Sequence, residues 1–329
     1  MDEPMNVGCD VGMGAIKLYG PAGGLQMLSQ VALDGSARLA ALAGLSTRKP
    51  PLRISYEGRA FYVDAGAHDA GRPVESLDYE RLTGAPEMIA LWRGALTRYA
   101  QRFGPIVAPL RLTVGLPTET LTGDEAIANI AAVNRWLKGT HTWRADDQEY
   151  SVHVSEVKIT SQAAAACFDF LLDEQGQFVA ERKAYFKQEI GVISLGFNTL
   201  ELLLVRDKAA VQRFTAGATV GVRRLLEIVN SERLYSLGEL DTLLRAGRLE
   251  VASALPIWER EVTGVIENRW GNLWRRFAVI VLVGGGAILL RESLPYRFNG
   301  KAVVPDDPVM ALARGLYKLS VFQNRKKTA

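Results

Sequence analysis

The sequence predicts an α/β protein built as two related domains that face each other across a shared cleft. Three observations predict it. Strand-like apolar runs interleave with segments of helical period along the whole chain. A glycine turn after Asp10 opens the chain, and a similar turn follows Ser194, each between two strand-like runs, so an internal duplication is expected. The length, 329 residues, suits two domains of ordinary size.

Taken in order, "MNVGCDVGMGAIKLYG" alternates into a strand, breaks at Gly12 and Gly14, and resumes as a second strand, a hairpin with Asp10 at the end of its first arm. Residues 52–67 read as another hairpin with Glu57 and Gly58 in its turn. Residues 84–103 carry apolar residues at helical spacing and stop before Gly104 and Pro105. "LRLTVGLP" (110–117) is a continuous apolar strand of the buried kind. Residues 150–159 alternate as a strand, after which Thr160 or Ser161 caps a helix over "QAAAACFDFLLD". "GVISLGFNTLELLLV" (191–205) is the second hairpin; Gly196 and Asn198 suit a turn with positive φ, whereas Phe197 is out of character there. Residues 221–246 and 253–277 are expected to be helical. "AVIVLV" (278–283) is a buried strand that ends in three glycines, "AILLRESL" restarts as a helix, and "PVMALARGLYKLSVF" closes the chain as another.

Composition narrows the function classes. The chain is 48% hydrophobic and 23% charged, with a net charge of +3. Its basic residues are dispersed, and "NRKK" (324–327) reads as a solvated tail, so direct nucleic-acid binding is not expected. Two isolated cysteines make no disulfide framework, and three histidines without ligand spacing make no histidine metal site. The apolar run at 277–290 is too short to span a bilayer and is broken by glycines, so a cytoplasmic protein is expected.

The glycine turns carry the chemistry. In "DVGMGAIK" (10–17) successive backbone N–H groups can point into one concavity and cradle phosphate oxygens. Asp10 could hold a divalent cation through water, as Mg²⁺ prefers, with Lys17 reaching a phosphate as a point charge. The same octapeptide also reads as an ordinary hairpin with a surface lysine. "LVGGGAILL" (282–290) lets a ligand approach backbone and helix N-terminus closely and lacks the spacing of a P-loop or a dinucleotide fingerprint; a tight strand-to-helix turn is the lesser alternative.

Together the three segments resemble the actin superfamily, and within it the bacterial and archaeal ParM-like, or StbA-like, actins. "DVGMGAIK" looks like the first phosphate loop, "SLGFNTLE" (194–201) the second, "VLVGGGAILL" the adenosine motif, and "VKITSQAAAACF" (157–168) the connecting helix. Gly115-Leu116-Pro117 and the terminal "DPVMALARGLYKL" add to the likeness, which spans nearly the whole chain. The resemblance implies an actin-like ATPase fold of two RNase H-like domains flanking a nucleotide cleft, with residues 1–160 plus 305–329 forming the first domain and 161–304 the second. It also implies ATP or GTP with Mg²⁺ as cofactors. Asp10 would organise the metal shell. Gly12, Met13 and Gly14 would offer N–H groups to the β- and γ-phosphates, and Lys17 would neutralise charge. Gln162 would orient the attacking water, or is simply a polar first-turn residue. Gly196, Asn198 and Thr199 would form the second cradle, Gly284, Gly285 and Gly286 would pass near the α-phosphate and adenosine, and Glu227 would face the ribose.

The second loop departs from the family, whose pattern there is Asp-x-Gly-Gly-x-Thr. Ser194 replaces the acid and Phe197 a small residue. A hydroxyl supplies no negative charge, so weaker metal affinity and weaker water activation are expected, hence nucleotide binding with slow or altered hydrolysis. The implied role is a filament that assembles from copies of this chain, for plasmid or DNA segregation through a DNA-binding adaptor, or for a cytoskeletal purpose. A non-polymerising scaffold of the same fold, or less favourably a small-molecule kinase, are the alternatives. Trp258, Trp270 and Trp274 read as a stripe packed on its own domain rather than an interface, with Trp270 and Trp274 on one helical face.

Overall fold

The computed structural model describes residues 3–35, 51–75 and 78–328. Two mixed sheets form its framework. The larger has ten strands, and from one edge it runs Gly23–Leu28, Ala15–Gly20, Met5–Val11, Leu110–Leu116 and Gln148–Ser161. The smaller runs Ala209–Ala210, Leu200–Arg206, Glu189–Leu195, Val279–Val283 and Ala302–Val303, with Ala216–Ala218 pairing beside Leu200–Arg206. Each sheet repeats one arrangement. A hairpin's first strand lies between its antiparallel partner and a parallel strand, Met5–Val11 beside Leu110–Leu116 and Glu189–Leu195 beside Val279–Val283. The strands at these centres are buried along nearly their whole length, which is why they read as continuous apolar runs.

Helix Pro86–Phe103 covers the large sheet, burying Met88, Leu91, Trp92, Ala95 and Leu96, and ends at Gly104 with φ 101°. Glu57 and Gly58 take φ of 47° and 74°, the signature of a tight two-residue hairpin, between Leu52–Tyr56 and Arg59–Val63. Helix Gln162–Leu171 starts where Ser161 accepts a hydrogen bond from the Ala164 amide, so Ser161 rather than Thr160 is the cap. It packs against the terminal helix Ala311–Thr328, which also lies on Met5–Val11. The terminal helix turns Ala311, Leu312, Ala313, Leu316 and Leu319 inward. Cys9, on the first strand, and Cys167, on the connecting helix, are free and buried.

Three helical expectations come out shorter. Residues 221–246 divide into Val222–Val229 and Leu237–Arg245. Asn230 folds the chain between them, its amide donating to the Tyr235 carbonyl and accepting from the Tyr235 N–H, and Ser236 with Glu239 forms a complete capping box that starts a new helix. Helix Leu255–Trp270 ends at Gly271, whose φ is 49°, so Trp274 lies in the separate turn Leu273–Arg276 and does not share a helix face with Trp270. Trp258 and Trp270 are nevertheless core residues, and Trp274 packs on the same cluster. The stretch after the triple glycine gives Gly285–Leu289 and Ser293–Arg297, since Pro295 has no N–H to continue a helix and its ring would strike the carbonyl four residues back. Among the described residues no helix is long and apolar enough to cross a membrane.

Candidate functional site

The turns of the two hairpins meet at one end of a cavity of about 330 Å³ between the sheets. The first hairpin pairs Asp10 directly with Lys17, and the second pairs Ser194 directly with Glu201. Antiparallel pairing puts directly opposed side chains on one face of the ladder, so each pair presents together. The Lys17 ammonium sits 2.8 Å from Asp10 Oδ2, and the Gln162 amide donates to Asp10 Oδ1 at 2.7 Å. Asp10 is 1% exposed. With its NH₂ turned to Asp10, Gln162 keeps its amide oxygen as the atom able to accept from a water.

Backbone donors complete this end. The carbonyls of Gly196, Phe197 and Asn198 turn away from the cavity and accept from the amides of Val222, Arg223 and Gly221 at the start of helix Val222–Val229. Met13, Gly14, Phe197 and Asn198 have N–H groups with no acceptor among the described residues. None of residues 196–199 has a positive φ, so the second turn does not use the left-handed geometry expected of Gly196 and Asn198. Phe197 is there for a contact: a Cβ on Gly14 would lie 2.5 Å from the Phe197 Cβ. Only a glycine at 14 lets the two turns pack this closely.

The cavity lining also includes the apolar side chains of Leu244, Ile288, Leu289, Val309 and Leu312, and Asp241 and Arg245, which pair with each other. Gly284 takes φ 94° and lies against the end of the second hairpin's first strand, where a Cβ would meet the Leu195 carbonyl oxygen at 2.3 Å. A cavity that combines N–H donors, one lysine and apolar side chains can take a ligand that carries both anionic and apolar groups.

Of the residues singled out in the sequence, Asp10, Gly12, Met13, Gly14, Lys17, Gln162, Ser194, Gly196, Asn198, Thr199, Gly284 and Gly285 all line this cavity. Gly286 packs against the Leu195 side chain outside the lining, and Glu227 pairs with Arg223 at 3.1 Å on its own helix. No three carboxylate, imidazole or thiol groups converge among the described residues. A divalent cation at Asp10 would therefore complete its shell with phosphate and water. The residue missed is Glu201. It is 1% exposed, accepts the Thr118 amide on Oε1 at 2.6 Å, and leaves Oε2 buried with no partner. Burial pushes its carboxyl up to about 8, with the Thr118 and Ala163 amides pulling down and Asp10 and Glu119 adding to the rise.

Residues 8–164 match the sequence profile described as the N-terminal domain of actin-like proteins. Solved structures match the whole length. The crystal structure of the actin-like protein Alp7A agrees with a TM-score of 0.76 at 16% identity, over 99% of this chain and 97% of that one. The chain has the actin-like fold. Ta0583, an archaeal actin homolog in complex with ADP, agrees with a TM-score of 0.73 at 17% identity, over 96% of this actin-like chain and 99% of that one. A 15-stranded ParM filament from Clostridium botulinum agrees at 0.67 and 18%, over 98% and 100%. No curated protein sequence matches significantly.

Proposed function

We propose that this actin-like protein binds ATP or GTP with Mg²⁺ in the cavity between its sheets and polymerises into cytoplasmic filaments, hydrolysing the nucleotide slowly. The carrying observation is the convergence of two equal hairpin turns, with unused N–H groups, on the Asp10–Lys17 pair. In this reading the two domains are 1–160 with 305–329 and 161–304. Met13, Gly14, Phe197 and Asn198 offer N–H groups to the phosphates, Lys17 neutralises them, and Gly284 and Gly285 pass the α-phosphate. Asp10 holds the cation shell. Gln162, oriented by Asp10, presents its amide oxygen to the attacking water. Ser194 lacks the charge to draw a proton from that water, so turnover is slow.

The ADP bound to Ta0583 and the filament built by the Clostridium botulinum ParM lend support at the level of shared fold. Segregation of plasmid or other DNA through an adaptor, or a cytoskeletal role, is the cellular task that suits such a filament. Sedimentation with ATP, with GTP and without nucleotide, followed by electron microscopy, tests the reading. Nucleotide-dependent pelleting of filaments is expected; a monomer under every condition, with nucleotide bound, would favour the non-polymerising scaffold that Ser194 also suits. In single-turnover assays Ser194→Asp is expected to speed hydrolysis at least about tenfold.

A further inference from the structure

We propose that the end of the small sheet farthest from the cavity binds double-stranded DNA through its phosphate backbone, using lysines and arginines that are scattered in sequence and collected by the fold. This surface is separate from the nucleotide cavity and its role does not depend on that reading.

Strand register fixes which segments meet there. The turn at 196–199 lines the cavity, so Glu189 and Arg206, paired at the foot of the same hairpin, mark the far end. Val279–Val283 runs parallel to Glu189–Leu195 with Val279 beside Ile190, and Ala302–Val303 runs parallel in turn with Ala302 beside Ile280. Both therefore enter the sheet from the far end. Ala209–Ala210 turns back against Arg206 there as well. The Lys301 ammonium bonds the carbonyls of Arg275 and Phe277, and Arg269 Nη1 reaches the Arg213 carbonyl at 3.4 Å.

The stretches so gathered, 181–189, 206–214, 269–278 and 299–301, hold ten lysines and arginines against three acids, a net charge of +7. The whole chain is +3, so the remainder amounts to −4 and the molecule is strongly polarised. Along the chain these residues make no basic run, so linear reading points away from nucleic acid; the fold reverses that. Lys183, Lys187, Lys208, Arg213, Arg269 and Arg275 are exposed. Glu189, 9% exposed, is shared by Arg206 at 2.6 Å and Arg276 at 2.5 Å. Among the described residues the other eight cations have no carboxylate in ion-pair reach. Such an array repels itself, and a polyanion relieves the repulsion while releasing its own counterions.

The dimensions and chemistry favour a DNA duplex. Strands lie about 4.8 Å apart, so the five from Ala209–Ala210 to Ala302–Val303 make an edge about 19 Å wide. A duplex carries one charge per ~1.7 Å, about eleven over that length, whereas an extended acidic peptide fits only about six residues there. Among the described residues, none of the large apolar side chains that are exposed falls in these stretches, so nothing there enters a bilayer or stacks on the bases of a single strand. The stretches contain no serine or threonine to meet a ribose 2′-hydroxyl.

The test is fluorescence anisotropy of the full, nucleotide-free chain with a labelled DNA duplex of about 30 base pairs and arbitrary sequence. Wild type is expected to bind with about micromolar affinity at ~50 mM salt and to weaken about a hundredfold or more by ~200 mM. Lys187→Glu/Lys208→Glu/Arg275→Glu should bind at least about tenfold more weakly at low salt, with a shallower dependence of log affinity on log salt, by about 2.7. The control Arg59→Glu/Arg135→Glu/Lys138→Glu makes the same change in net charge at exposed positions of the other sheet's side and should stay within about threefold of wild type. Circular dichroism verifies that both variants are folded. Wild type that does not bind, a patch variant that binds as well as wild type, or a control that loses as much overturns the inference. Tighter binding of the same surface to double-stranded RNA, polyglutamate or phosphatidylserine vesicles overturns the assignment to DNA.

Discussion

Lys17 is 14% exposed and holds its ammonium 2.8 Å from Asp10 at the end of the cavity where phosphates would lie. Removing it withdraws the one cation among the residues that line the turns, and a charge-assisted bond to phosphate is worth enough that Lys17→Ala should weaken ATP binding about tenfold or more by equilibrium titration. Glu201 makes a separate prediction about pH. Its carboxyl has an ordinary value of 4.5 and is raised to about 8 in the folded chain, by burial first and by the Asp10 and Glu119 carboxylates after it. A group raised in this way contributes stability that is full below the lower value and is lost as pH rises through the higher one. Denaturant unfolding of the wild type, compared with Glu201→Gln at several pH values, should therefore show the wild type losing ground from about 4.5 to about 8. Asp10, the glycines and Lys17 were legible because one contiguous octapeptide holds them. Glu201 was not, because it sits inside an apolar strand whose alternation hides it; the signal was there in the equal seven-residue steps from Asp10 to Lys17 and from Ser194 to Glu201.

Helices Gln162–Leu171 and Ala311–Thr328 are bound by a buried charge cluster. Arg314 grips both oxygens of Asp169 at 2.7 Å, and Lys318 bonds the same side chain at 2.8 Å and its carbonyl at 3.0 Å. Asp169 is 5% exposed, so Asp169→Ala would strand two cations in the interior and should cost about 3 kcal/mol or more in chemical unfolding. An unchanged midpoint would show that the cluster is dispensable. Sequence patterning foresaw both helices because each has a clear apolar face, and it foresaw the strands because their apolar runs are bounded by glycine and proline. It ran the helices of residues 221–246 together because periodicity continues across the break. Ser236 and Glu239 announced the new start, and local side-chain bonding at Asn230 overrode helical preference.

Across the whole molecule, Gln30 bridges the cavity's flank. Its amide donates to the Gly238 carbonyl and to Thr242 Oγ1, both at 2.9 Å, while its oxygen accepts from the Gly66 amide. These bonds tie the large-sheet side of the chain to helix Leu237–Arg245, which forms one wall. Gln30→Ala should loosen that wall, speeding amide exchange in the helix and weakening nucleotide affinity about fivefold. Equal exchange rates in the two proteins would mean the bridge holds nothing shut. The architecture as a pair of related halves could be read from two recurring turns, whereas Gln30 could not, since it joins segments more than two hundred residues apart.

The two buried cysteines gain a use from their positions. Cys9 precedes Asp10 on the first strand and Cys167 lies in the connecting helix, both shielded, with burial raising both thiols so that neither is reactive while the core is closed. A thiol reagent can reach them only when the packing around strand or helix opens. The native chain thus has an internal clock at its centre: labelling rates at these two sulfurs, read by mass spectrometry, would time the opening of each half without any engineered probe.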